Sequence, residues 1–196
     1  MKKYELLKEL LINDRSIRRF NEAKTIGQDT LLKIVELTRY CASGRNLQPL
    51  RYRLVTDPKE KEELFPMLGW AGYLPEWAGP EEGERPSAYI IQCRDNDLTN
   101  NIMCDDGLQL QTLTLGATAL GLGGCIIKSF NPRKLSEILK LENRYEPLYV
   151  LALGYPVEKV VLTGLNPEKD KEIKYYRDEN GVHYVPKRPL EDLIIK

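Results

Sequence analysis

Three arginines, a serine and two apolar residues fall within the seven positions from Asp14 to Phe20, Asp-Arg-Ser-Ile-Arg-Arg-Phe. Arginine offers a planar fork of donors, and a serine hydroxyl can add another to a phosphate. The cluster is therefore a candidate anion site; the alternative is a solvated loop anchored by Ile17 and Phe20. A second basic pair, Lys187-Arg188, sits between prolines near the C-terminus. From Cys41 to Pro49 the chain is polar and turn-rich, with small residues that let backbone groups approach a ligand closely. The chain has one histidine, His183. That excludes multi-histidine metal centres and makes any Ser-His or Cys-His mechanism depend on a single residue. His183 follows an Asn180-Gly181 turn, so the expectation is a hairpin residue half in solvent. Neither metal nor side-chain nucleophile is expected, and the chemistry is expected to come from a bound cofactor.

Composition narrows the partners. Basic and acidic residues balance at 29 each, which gives no electrostatic footprint for nucleic acid or an anionic membrane. At 196 residues the chain suits one domain, 1–196, able to bury its own core. The four cysteines, Cys41, Cys93, Cys104 and Cys125, show no zinc spacing and read as buried free thiols. Charged residues interrupt the start, MKKYELLKELL, before any signal-peptide core can form, so a cytoplasmic protein is expected.

The elements that must position these residues are organised around Asp105 to Asn131. From Gly107 to Ile127 no residue is charged, in a chain that is 30% charged. Leu108, Leu115, Ala119 and Leu122 form one set at helical spacing; Leu110, Leu113, Ala117 and Leu120 form another. A helix apolar on two sides reads as a central helix packed all round. Gly121, Gly123 and Gly124 end it, and Cys125 to Ile127 reads as a buried strand. Before it come an amphipathic first helix ending near Asn13-Asp14, a helix over Thr25 to Tyr40, a strand over Arg51 to Thr56 and a helix over Lys59 to Leu68. Gly69 to Pro86 is irregular and holds Trp70, Tyr73 and Trp77, either as a cover over a substrate pocket or as anchors. Ser87 to Cys93 and Leu148 to Gly154 read as strands, Arg133 to Leu141 as a short helix, and Tyr175 to Val185 as a hairpin within a C-terminal arm, 174–196. The sum is one α+β domain with a small mixed sheet.

Gly121-Leu122-Gly123-Gly124 is not a dinucleotide fingerprint, because it closes a helix and opens a strand, the reverse of a Rossmann turn. In order along the chain, Arg15-Ser16-Ile17-Arg18-Arg19-Phe20, Ala42 to Pro49, that glycine turn with its strand, and Pro186-Lys187-Arg188-Pro189 resemble the FMN-dependent nitroreductase family. The resemblance spans nearly the whole chain. It implies an interlocked α+β homodimer, with helices flanking a small mixed or antiparallel sheet, a buried central helix and FMN at the subunit interface.

By that resemblance Arg15, Ser16 and Arg18 hold the flavin, and Lys187 and Arg188 meet the same phosphate, which carries close to two charges. Ala42, Ser43, Gly44 and Asn46 match a segment supplied by the other subunit. Lys128 and Ser129 match backbone facing the flavin ring near N5, with no side chain catalytic in its own right. The implied activity is ping-pong transfer of reducing equivalents from NADH or NADPH, through flavin N5, to an electron-poor acceptor such as a nitroaromatic or quinone. A non-catalytic flavin-storage or sensing protein is the alternative. Two departures stand out: Asp14 occupies a position often basic in the family, and Ala42 replaces a frequent proline.

Overall fold

Branched and apolar residues in unbroken runs make the two central strands. Ala88–Asp95 (β2) and Tyr145–Gly154 (β4) pair antiparallel and are buried over most of their length. Leu50–Val55 (β1) and Gly123–Ile127 (β3) flank them, giving an antiparallel sheet of order β1-β2-β4-β3. The computed structural model describes residues 2–165 and 172–195.

Strand alternation divides the core in two. Tyr89, Ile91, Cys93, Val150 and Ala152 face one side, beneath Pro58–Leu64 (α3) and Pro132–Ile138 (α5). Ile90, Leu151 and Leu153 face the other, beneath Gln28–Glu36 (α2) and Asp105–Ala119 (α4). Local chemistry sets the helix ends. Asp57 and Asn131 each accept a backbone N–H three residues on, at 3.0 and 3.2 Å, with proline next in the chain. The helix expected over Thr25 to Tyr40 is shorter, because it tightens into a 3₁₀ turn at Leu37–Tyr40. The helices expected to reach Leu68 and Leu141 also stop early, the first through a 3₁₀ turn at Phe65–Met67.

The central helix is not packed all round. Leu110, Leu113 and Ala117 are buried against the sheet, but Leu108 is 44% exposed and Leu115 and Ala119 are only partly covered or open. The first helix, Lys2–Asn13 (α1), buries no residue at all. Two cysteine expectations also fail: Cys93 and Cys125 are buried thiols, but Cys104 is exposed and Cys41 half-buried, because both lie in turns rather than in core elements.

The C-terminal region forms a second sheet. Val160–Gly164 (β5), a strand not foreseen, runs parallel to His183–Lys187 (β7), which pairs antiparallel with Tyr176–Arg177 (β6). The hairpin expectation holds. Among the described residues no helix is long and apolar enough to cross a membrane.

Candidate functional site

The Asp14–Phe20 motif lies along the sheet edge opened by the glycine turn. Ser16 bridges Gly124, and the Ile17 N–H donates to the Gly124 carbonyl at 2.9 Å. Phe20 is fully buried and lies over Gly154, where any Cβ would stand 2.6 Å from its ring. At Gly123 a Cβ would stand 2.7 Å from Ile17. These glycines are therefore required by close approach of the motif to the sheet. Ile17 and Phe20 act as anchors, and the anchored segment displays its arginines between them.

Each arginine has a different environment. Arg19 is neutralised by Glu84 through two bonds of 2.6 and 2.5 Å; the pair raises the arginine's pKa and lowers the carboxylate's, chiefly through those bonds. Arg15 donates through Nη2 to the Leu11 carbonyl at 2.6 Å, and its buried Nε has no partner among the described residues. Arg18 is 9% exposed. Its guanidinium donates to the Ser16 carbonyl at 3.3 Å and to His183 Nε2 at 3.4 Å, and lies 5.0 Å from the Tyr175 ring centre. Its Nε is likewise buried without an acceptor. Asp14, at the position often basic in the family, accepts from Gln111 at 2.5 Å and Thr114 at 2.7 Å, fastening the end of α1 to α4.

His183 corrects an expectation: it is 1% exposed, not half in solvent. The hairpin folds back on the N-terminal motif, so the residue after the turn faces the interior. Burial first, then the charges of Arg18 and Arg177, lower its pKa from 6.5 to about 4, so the imidazole is neutral at pH 7. Glu158 completes the junction. One oxygen accepts the backbone N–H groups of Arg18 and Arg19, and the other accepts from Arg177 at 3.3 Å. Tyr175, Glu158, Arg177 and His183 were missed as site residues because each lies far from the motif in sequence, with no spacing signal.

Tyr73 and Trp77 dock on the same hairpin. The Tyr73 ring is 4.9 Å from Tyr175, and Arg177 lies 4.6 Å from the Trp77 ring. Trp70 packs on Phe65 instead, at 5.9 Å. All three aromatics are thus anchored, and the start of the 69–86 segment also reaches the end of β3: Gly69 donates to the Ser129 carbonyl at 2.7 Å.

Lys128 and Ser129 extend from β3 with exposed side chains. Lys128 Nζ donates to the Tyr149 hydroxyl at 3.3 Å. Beside Ser129 is an open groove of about 1080 Å³, lined also by Leu68, Gly69, Phe130, Arg133 and Glu146.

Two sets of expected residues are placed elsewhere in this protomer. Lys187 and Arg188 are exposed, and the hairpin meets the motif through His183 and Tyr175 rather than through that basic pair. The Ala42–Asn46 segment is held at the start of α4, where buried Asp105 accepts from the Ser43 hydroxyl at 2.6 Å and the Gly44 N–H at 2.9 Å. Asp14 grips the same helix six to nine residues farther on, roughly 9–14 Å along its axis. The one Ser43 proton is thus committed to Asp105, and its oxygen also accepts the Gln48 N–H at 2.8 Å within the loop. Arg45, Asn46 and Gln48 adopt φ of 53°, 55° and 48°, a run of left-handed residues that this stapling sustains. Ala42 is exposed next to Leu10 of α1, on the hollow that α1 and α4 share.

The Nitroreductase family model matches residues 13–82 and 83–155. This chain belongs to that family. It is 25% identical over 191 residues to the FMN reductase (NADPH) of Bacillus subtilis, covering 89% of this chain and 74% of that protein. It is 28% identical over 167 residues to the oxygen-insensitive NADPH nitroreductase of Salmonella typhimurium, covering 76% and 65% respectively. The solved nitroreductase family protein from Streptococcus pneumoniae superposes with a TM-score of 0.69 at 20% identity, over 97% of this chain and 99% of that one. The α+β fold is thus the nitroreductase fold.

Proposed function

We propose that this nitroreductase-family chain is an FMN-dependent oxidoreductase that takes electrons from NADH or NADPH and delivers them to an electron-poor small molecule such as a nitroaromatic or quinone. The observation that carries the reading is that Arg15 and Arg18, on one anchored motif, have buried Nε groups without an acceptor, as Arg85 and Arg177 also do, and no carboxylate partner among the described residues, whereas Arg177 has Glu158. Buried donors without partners are expensive, and two of them on one anchored motif fit an anionic ligand. The names of the relatives, an FMN reductase and an NADPH nitroreductase, agree with that ligand and with the electron donor.

Arg15, Ser16 and Arg18 would hold the cofactor, with Lys187 and Arg188 closing on its phosphate. Bound FMN would supply the redox chemistry at N5, with donor and acceptor using the cleft in turn by ping-pong exchange. The chain supplies position and charge. Arg18 places a desolvated positive charge beside the motif, where it stabilises negative charge that develops on the ligand. The Lys128–Ser129 backbone, fixed to Gly69, borders the groove in which an acceptor would lie, so the start of the 69–86 segment shapes that pocket. No side chain is required as a nucleophile.

The chain acts as a homodimer in this reading. The exposed apolar residues of α1, the open face of α4 and the tail residues Leu190, Leu193, Ile194 and Ile195 all lack cover in one protomer. A second copy would cover them and bring its own Ala42, Ser43, Gly44 and Asn46 to the flavin. The whole of 1–196 forms one functional domain, in the cytoplasm as its free cysteines favour. Anaerobic addition of NADH or NADPH to the flavin-loaded protein tests the activity. Rapid bleaching, with recovery on adding a quinone, is the expected result. A bound flavin that neither nucleotide bleaches would make the protein a flavin carrier instead.

A further inference from the structure

The junction around Arg18 has an unbalanced charge. Arg18, Arg19 and Arg177 contribute three positive charges, and Glu84 and Glu158 two negative ones. Glu84 is fully engaged with Arg19, and the Glu158 side chain, 1% exposed, is shared between backbone N–H groups and Arg177. The Arg18 guanidinium is left with neutral acceptors only among the described residues: the Ser16 carbonyl and the His183 imidazole. Cys125 lies near enough for the Arg18 charge to be felt, yet burial still raises its thiol pKa, so it supplies no anion.

A buried guanidinium ordinarily recruits a carboxylate. Here the position facing it carries a group that can accept its hydrogen bond without cancelling its charge. Accepting at Nε2 fixes the proton on Nδ1, which has no partner among the described residues. The imidazole is also held by Tyr175, whose ring is 5.1 Å away and which stacks beneath Arg18 as well. Tyr175 in turn accepts the Tyr73 N–H at 3.2 Å. Three elements distant in sequence thus converge to hold one arginine.

We propose that His183 is a positioning residue that orients Arg18 while leaving its positive charge unquenched for an anionic flavin. The proposal rests on the FMN reading above. Its distinctive content is charge, because a purely structural role for His183 would depend on shape and hydrogen bonding alone.

Glutamine and glutamate have nearly the same shape, and both can accept from Arg18. His183→Gln keeps a neutral acceptor; His183→Glu introduces a carboxylate that pairs with Arg18. Apoprotein is titrated with FMN by flavin fluorescence, and the midpoint potential of the loaded protein is measured by dye equilibration. H183Q should bind FMN within about twofold of wild type, whereas H183E should bind at least tenfold more weakly and show a more negative potential. Melting temperatures of the apoproteins report folding separately. If H183E does not fold, His183→Asp and His183→Asn serve in place of that pair: they again match in shape and differ in charge, and H183D should bind FMN at least tenfold more weakly than H183N. Equal FMN affinity and potential for H183E and H183Q, or for H183D and H183N where H183E does not fold, overturns the proposal. A wild-type protein that does not bind FMN would overturn both this proposal and the cofactor reading.

Discussion

The Arg18 junction and the open face of α4 are built in opposite ways. At the junction, the N-terminal motif, the 69–86 segment and the C-terminal hairpin bury arginines, a carboxylate and a histidine against one another within a single chain. By contrast, α1 buries nothing, and an apolar hollow of about 500 Å³ remains between Leu10, Leu37, Tyr40, Leu108, Leu115 and Ala119. Helices in proteins owe most of their stability to a packed apolar face, so α1 is incomplete in one protomer. The contrast separates what one chain can organise, a charged pocket, from what requires another surface.

Removing the centre of the junction should have the largest effect. Glu158→Ala leaves Arg177 and two backbone N–H groups unpaired in a buried site, and should lower stability by about 3–5 kcal/mol in denaturant titrations. A loss below 1 kcal/mol would mean the junction is more hydrated than its geometry indicates. The open face responds differently. Leu115→Arg should leave the folded protomer intact but convert a dimer to monomer by sedimentation, since an unpaired charge buried in an interface costs about 2–5 kcal/mol. An unchanged oligomeric state would remove the open face from the proposed interface.

The loop stapled to the start of α4 sharpens the comparison. Asp105→Asn weakens the staple that holds Ser43 and Gly44, and should lower stability by about 1–2 kcal/mol and weaken FMN binding without altering dimerisation. A separate test of the junction is one of pH. His183 in the folded chain has a pKa lowered to about 4 from 6.5, so below 6.5 the unfolded chain binds a proton that the folded chain does not. Its contribution is constant above that pH and is lost progressively from 6.5 down to about 4. Wild type should therefore lose more stability than H183Q across that window, by chemical denaturation at fixed pH values. Parallel slopes would show that His183 takes up its proton equally in the folded and unfolded chain, so that burial does not lower its pKa.

Much of the fold was legible in the sequence because its signals are local. Apolar runs marked β2 and β4, and Asn180-Gly181 marked the hairpin. The glycine turn was legible as a turn, but its role in admitting Ile17 emerged only from packing. The junction was not legible. His183 reads as a surface hairpin residue until the hairpin is seen to fold back on Arg18, and Glu158 and Tyr175 have no motif of their own. The role of Asp14 was hidden for a related reason: its charge was evident, but its partners, Gln111 and Thr114, lie about a hundred residues away. Nor could periodicity tell a helix packed on two sides from one with a side left open, because both carry the same apolar pattern.

The central claim is that the anchored arginine motif holds FMN, and titration of the apoprotein with FMN tests it most directly. Fluorescence should quench to a stoichiometry of one flavin per chain. Arg15→Ala with Arg18→Ala should weaken binding by roughly a hundredfold, as expected for losing charge-assisted hydrogen bonds worth about 3 kcal/mol in all. An apoprotein that does not bind FMN, or a double variant that binds it as tightly as wild type, would contradict the account.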